Sequence, residues 1–129
     1  MSSEKTEPKF GTVAWQDLTV PNAEQVRDFY QEVIGWISQP LDMGGYDDFV
    51  MVTPANDQGV AGICHARGVN ADLPPQWLLY FLVEDLDASI AKCIRSGGTV
   101  LRYPTSVGNS RFGVIRDPAG AVCGLYAAS

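Results

Sequence analysis

The order of apolar and turn signals in this chain occurs twice, and that repetition limits the possible folds more than any single motif. A shift of 63 residues places Val20 on Val83, Gly35 on Gly98 and Phe49 on Phe112; a shift of 62 places Val60-Ala-Gly-Ile63 on Val122-Cys-Gly-Leu125. Each match alone is weak, but their common order and near-equal offsets read as a tandem repeat. In the first copy, residues 11–20 alternate as a strand, with Val13, Trp15, Asp17 and Thr19 on one face and Ala14, Gln16, Leu18 and Val20 on the other. Pro21-Asn22 stops that strand. Asn22 is placed to cap a helix, with Gln25 reaching back in a capping-box-like arrangement. Val26, Phe29, Tyr30, Val33 and Ile34 form one apolar stripe, and Gly35 ends it as a left-handed cap would. Extended segments follow at about 36–41, 46–53 and 59–65, divided by the turn signals Asp42-Met-Gly-Gly45 and Pro54-Ala-Asn-Asp-Gln-Gly59.

Residues 66–76 make a polar connector, after which the order restarts. Trp77–Val83 is a strand, Asp85 a helix cap, and Leu86, Ile90, Cys93 and Ile94 a second helical stripe ending at Gly97-Gly98. Strands are expected at about 99–103, 111–116 and 121–127, with Asp117-Pro-Ala-Gly120 as the last turn. The expected fold class is α+β: two tandem βαβββ units, 10–65 and 77–127, in a single domain over 10–127 behind a loose leader at 1–9. One helix per unit covers one sheet face, so the other faces must pack together or curve around something. The expectation is a cupped, barrel-like mixed sheet with helices outside and a ligand-sized cleft within.

Composition then excludes several classes. Nine basic against 15 acidic residues give a net charge of −6 with no Lys/Arg cluster, which argues against nucleic acid and anionic membranes as partners. No apolar run approaches the ~20 residues of a membrane span, and the first residues lack the basic-then-apolar pattern of a signal peptide. Cys64, Cys93 and Cys123 show no CxxC spacing, so neither a disulfide framework nor a zinc knuckle is expected. A cytoplasmic location is the expectation.

Four stretches stand in a suggestive order: Ala23-Glu-Gln-Val-Arg-Asp-Phe-Tyr-Gln-Glu-Val-Ile-Gly-Trp36, Val83-Glu-Asp-Leu-Asp-Ala88, Gly97-Gly98 and Asp117-Pro-Ala-Gly120. Together they resemble the vicinal oxygen chelate superfamily of glyoxalase I, extradiol dioxygenases and bleomycin-resistance proteins, over roughly residues 10–127. One such scaffold hosts many chemistries. In metal-using members each unit supplies one ligand from its first strand and one from its last. By this resemblance those positions fall at Trp15, Leu78, Gly62 and Gly124, none of which carries a metal donor. A substitute set of Gln16, His65 and Cys123 is disfavoured, because Gln16 points to the opposite strand face and His65 is the sole histidine. The resemblance is therefore to a metal-less glyoxalase-like subgroup, with no metal, no cofactor and a homodimeric assembly expected. His65 is read as a solvent-facing residue at a strand end, and the cysteines as small buried apolar residues.

The remaining chemistry is sparse. Cys64 and His65 are adjacent but would point to opposite faces, which disfavours a nucleophile–base pair; no G-x-G-x-x-G or P-loop pattern is present. Glu84, Asp85 and Asp87 suit a helix N-terminus. Asp17, on the Trp15 face, is the one catalytic candidate, as a general base if burial raises its pKa; it could equally bind a ligand or pair with Arg111. Trp15, Tyr46 and Tyr80 could line a pocket for a planar or apolar organic molecule, while Trp36 and Trp77 are assigned to the core. Arg111 could meet an anionic ligand group or face water. Gly62 and Gly124 mark either close approach by a ligand or relief of crowding. The candidate ligand-binding set is thus Trp15, Asp17, Tyr46, Gly62, Tyr80, Arg111 and Gly124. A small-molecule-binding glyoxalase/bleomycin-resistance-like protein is the first reading. The alternative is a glyoxalase-related lyase, isomerase or dioxygenase, using substitute ligands or metal-free acid–base chemistry.

Overall fold

The computed structural model describes residues 9–128, so the leader expected over 1–9 lies, apart from Lys9, outside the described residues. The chain packs as two compact units, one spanning Trp15–Leu79 and the other combining residues up to Ala14 with those from Tyr80 onward. These units are offset from the sequence repeats by part of a strand. The side chain of Trp77 accounts for one end of that offset, because its indole N–H donates to Tyr30 Oη at 3.1 Å and its ring meets Trp36 edge-on. At the other end, Gly11 N–H donates to Leu82 C=O at 2.7 Å and Leu82 N–H to Thr12 C=O at 2.9 Å.

The Trp15–Leu79 unit holds most of β1 (Val13–Val20), α1 (Ala23–Ile34), β2 (Ile37–Asp42), β3 (Asp47–Val52), β4 (Gly59–His65) and the start of β5 (Trp77–Leu82). Its strands lie in the order β2-β3-β4-β1, antiparallel except for the parallel β1–β4 pair. Leu18, Val20, Phe49, Met51, Ala61 and Ile63 turn to one side and pack with Ala23, Val26 and Tyr30 of α1. Strand alternation therefore sends Trp15, Asp17, Val50 and Gly62 to the helix-free face.

The α1 stripe is narrower than its sequence implies. Val26 and Tyr30 pack on the core, but Phe29 and Val33 are 55% and 63% exposed, and Ile34 is exposed beside them. Contact runs along Ala23, Val26 and Tyr30, one ridge of the helix, so apolar residues a third of a turn away miss the sheet. Gly35 is left-handed, with φ +90° and its N–H bonded to Gln31 C=O, as expected. Asn22 precedes the helix but does not cap it through its side chain; its amide donates instead to Gln25 Oε1 at 2.9 Å.

The second unit carries the rest of β5, α2 (Leu86–Arg95), β6 (Thr99–Val107), β7 (Ser110–Arg116) and β8 (Val122–Ala128), in the strand order β5-β8-β7-β6. β5 and β8 are parallel and the remaining pairs antiparallel. Leu86 and Ile90 of α2 are buried against Leu125 and Ala127, with Phe81, Val83, Val100 and Ile115 around them. Asp85 caps α2 by accepting Ala88 N–H at 3.0 Å. The architecture is thus α+β with two βαβββ repeats.

Two details of the repeat change. Gly35 corresponds in conformation to Gly97 (φ +93°) rather than Gly98, where an added Cβ would collide with Cys93 Sγ. Phe49 and Phe112 also occupy opposite faces: Phe49 sits in the helix-side core, whereas Phe112 packs on Tyr80 and Tyr126. The reason is length. β6 runs to Val107, beyond the expected end near 103, and a one-residue change of register exchanges the two faces of a strand. Pro104 is tolerated there because β6 ends the strand order.

Candidate functional site

In the Trp15–Leu79 unit, parallel pairing sets Asp17 directly against Gly62. Trp15 Nε1–H donates to Asp17 Oδ1 at 2.6 Å, a short charge-assisted bond. A Cβ on Gly62 would overlap Asp17 Oδ1 and come within 3.5 Å of Trp15 Nε1. The glycine is therefore explained by close approach of a side chain from its own neighbouring strand. Gln16, on the opposite face, gives its amide to Val60 C=O.

The second unit repeats this arrangement with different chemistry. Tyr80 is set against Gly124, and a Cβ on Gly124 would fall inside the Tyr80 ring, 2.6 Å from Cγ. Tyr80 is only 4% exposed. Phe112 meets it edge-on with centroids 5.7 Å apart, and Tyr126 lies at 5.1 Å and 33° to Phe112. Ser110 Oγ–H donates to Tyr126 Oη at 3.3 Å. Leu78, the other first-strand position, is buried. Phe112 and Tyr126 are not among the candidate site residues read from the sequence, although their period-two alternation with Val114 and Gly124 is legible there.

Tyr46 joins a separate cluster. Its ring meets the edge of His65 at 5.4 Å, and the Arg67 guanidinium lies 3.8 Å from its centroid. His65 is not solvent-facing as expected: its side chain is 11% exposed, Nδ1 lies 3.2 Å from Asp48 Oδ1 and Nε2 lies 3.1 Å from Glu24. Asp48 also accepts the His65 backbone N–H at 2.9 Å. Burial opposes charging of the imidazole, but the hydrogen bonds and charges of Glu24 and Asp48 together outweigh it and raise the His65 pKa. The cluster ties α1, β3 and β4 together. It engages both ring nitrogens, which disfavours His65 as a ligand or free base.

Arg111 lies on the helix side of its sheet and pairs with Asp87 of α2 through two bonds of 3.1 Å, rather than with Asp17. The Arg111 hydrogen bond and charge hold the Asp87 carboxyl below its usual range. Beside them is an open depression of about 460 Å³ lined by Glu84, Asp85, Leu86, Arg111, Ala127 and Ala128. Of the candidate residues only Arg111 lines it, and its two carboxylates belong to the start of α2. Burial raises the Cys123 thiol pKa, with Asp117 and Cys93 adding to it, so this sulfur is a poor nucleophile.

Comparison with known proteins is consistent with this geometry. The sequence profile of the Glyoxalase/Bleomycin resistance protein/Dioxygenase superfamily matches residues 9–123. The chain belongs to this superfamily. It is 30% identical over 128 residues to CFP32 of Mycobacterium bovis, provisionally named a glyoxylase, covering 98% of this chain and 49% of that protein. It is 31% identical over 111 residues to the anthracycline biosynthesis protein DnrV of Streptomyces peucetius, covering 86% of this chain and 39% of DnrV. The chain thus spans half or less of the length of these relatives. Methylmalonyl-CoA epimerase of Streptomyces coelicolor superposes with a TM-score of 0.56 at 16% identity, covering 94% of this chain and 99% of the epimerase chain. That likeness concerns the fold alone. Among the described residues no helix is long and apolar enough to cross a membrane.

Proposed function

We propose that this chain is a small-molecule-binding member of the superfamily whose binding faces work without a metal. The observation that carries the reading is the Trp15–Asp17 hydrogen bond lying over Gly62. It fills, with a carboxylate already held by an indole, a position where metal-using members place a ligand. The residues do not fit a metal: Leu78 and Gly124 offer no donor atom, and the space over Gly124 is taken by the Tyr80 ring. Tyr80, Phe112 and Tyr126, on one unit, suit a planar organic ligand, because aromatic faces contribute large contact area at low entropic cost.

A second reading keeps Asp17 as a general base in metal-free lyase, isomerase or dioxygenase-type chemistry. It rests on the same half-buried carboxylate. The chain is proposed to act as a homodimer, because members of the superfamily commonly complete or cover their clefts that way. A cytoplasmic location is proposed because the cysteine spacing encodes no disulfide framework.

The test is metal stoichiometry by elemental analysis after soaking with Ni, Zn, Mn and Fe(II) and desalting. Near-zero metal is the expected result. Close to one equivalent per chain overturns the metal-free reading.

A further inference from the structure

His65 is placed as only a charged imidazole can be. Both of its ring nitrogens face carboxylates: Nδ1 lies 3.2 Å from Asp48 Oδ1, and Nε2 lies 3.1 Å from each carboxylate oxygen of Glu24. An ionised carboxylate only accepts hydrogen bonds, so both nitrogens must donate, and a neutral imidazole has one N–H to give. We propose that His65 is a proton-operated latch on the first turn of α1: charged, it holds Glu24 and Asp48 together; neutral, it keeps Asp48 and releases Glu24.

Burial decides which carboxylate is released. The Asp48 side chain is 8% exposed and also accepts the His65 backbone N–H at 2.9 Å, so water is poorly placed to replace the imidazole there. The Glu24 side chain is 61% exposed and rehydrates as it leaves. The remaining ring proton therefore stays on Nδ1, which turns the Nε2 lone pair toward the Glu24 oxygens and makes that contact repulsive. Glu24 lies in the first turn of α1, to which Asn22 gives no side-chain cap. The polar tie from this turn to β4 is thus the bond that proton loss breaks.

The other groups around the ring leave this balance in place. Arg27 of α1 lies 4.5 Å from the Phe49 ring centroid, and Arg67, just after β4, lies 3.8 Å from that of Tyr46. Phe49 and Tyr46 in turn adjoin the imidazole at 6.2 and 5.4 Å, so each guanidinium sits on a neighbouring ring rather than on His65 itself. Val20 of β1, paired with His65, carries no charge. Burial works against charging the imidazole, but the bonds and charges of Glu24 and Asp48 outweigh it, so the changeover comes above the ordinary value of 6.5. Glu24 stays ionised there, because its own backbone N–H and His65 hold its carboxyl below the usual range.

His65 is the sole histidine, so nitrogen-15 spectra of the imidazole in the untagged chain report it alone. Over about pH 5.5 to 8.5 they should show two ring protons giving way to the Nδ1–H form, the reverse of the tautomer that free histidine favours. Hydrogen-exchange protection of the Val26 amide, bonded to Asn22 C=O in the first turn, should fall about two- to fivefold across the same midpoint, as suits a tie with one exposed partner. The fall should be larger there than at Leu125 in the other unit. Glu24→Gln should lower the midpoint and remove the extra fall at Val26, because a carboxamide can accept from the charged ring or donate to bare Nε2. An Nε2–H form above the midpoint overturns the direction of release. Equal falls at Val26 and Leu125, or an extra fall that persists in Glu24→Gln, overturn the latch.

Discussion

Replacing Gly124 by alanine tests whether the Tyr80 ring is what demands a glycine there. Gly124 is not in the left-handed region, so its backbone accepts any residue. On conformational grounds alone alanine in a strand should therefore stabilise by about 0.5–1 kcal/mol. Against this stands the collision: the new Cβ falls within the ring of Tyr80, which is closed in by Phe112 and has little room to swing away. Overpacking of this kind costs about 1–3 kcal/mol. The net expectation is a loss of about 1–2 kcal/mol in Gly124→Ala. In a Tyr80→Ala background the ring is gone, and the same change should be neutral or mildly stabilising. Tyr80→Ala alone costs about 3–5 kcal/mol as a large-to-small core change, so the cycle is best run at 25 °C by urea unfolding. The coupling between the two sites should reach about 1–3 kcal/mol. In thermal melts each kcal/mol amounts to about 3–5 °C for a chain of this size. A Gly124→Ala protein as stable as wild type, or one equally weakened in both backgrounds, refutes the steric account.

The remaining expectations concern the other clusters. Gly62→Ala should destabilise in the wild type by about 1–2 kcal/mol and much less in Asp17→Ala, read by the same urea cycle, because the obstacle is the Asp17 carboxylate. The His65 pKa is raised on folding, so the stability contributed by Glu24, Asp48 and His65 is full below the unfolded value of 6.5 and is lost as pH rises through the folded value. Melting temperatures from pH 5.5 to 8.5 should show the gap between wild type and His65→Gln closing as pH rises; a constant or widening gap would contradict the cluster's charge. Asp85→Ala should cost about 1 kcal/mol through loss of the α2 cap, seen as a lower urea midpoint.

Much of the fold was legible because it rests on local signals. Asp85 caps α2, Gly35 ends α1 in the left-handed region, and the period-two pattern of β1 sorts Leu18 and Val20 from Trp15 and Asp17. What escaped depends on partners distant in the chain. His65 reads as exposed until Asp48, 17 positions away, and Glu24, 41 positions away, are brought to it. Phe112 reads as the counterpart of Phe49 until the longer β6–β7 hairpin shifts the register and turns it to the other face.

The glycine pair shows why the fold was easier to read than the site. In both repeats the first strand lays a large side chain flat across the last strand, and the backbone beneath must be glycine: Asp17 over Gly62, Tyr80 over Gly124. The steric requirement is the same in each copy and leaves the same mark in sequence. The chemistry laid over it differs, a carboxylate held by an indole in one and a phenol ring against Phe112 in the other. A packing constraint thus preserves the glycines while allowing the side chain above them to change. The repeat consequently reveals the scaffold, and the site has to be read from what each copy places on it.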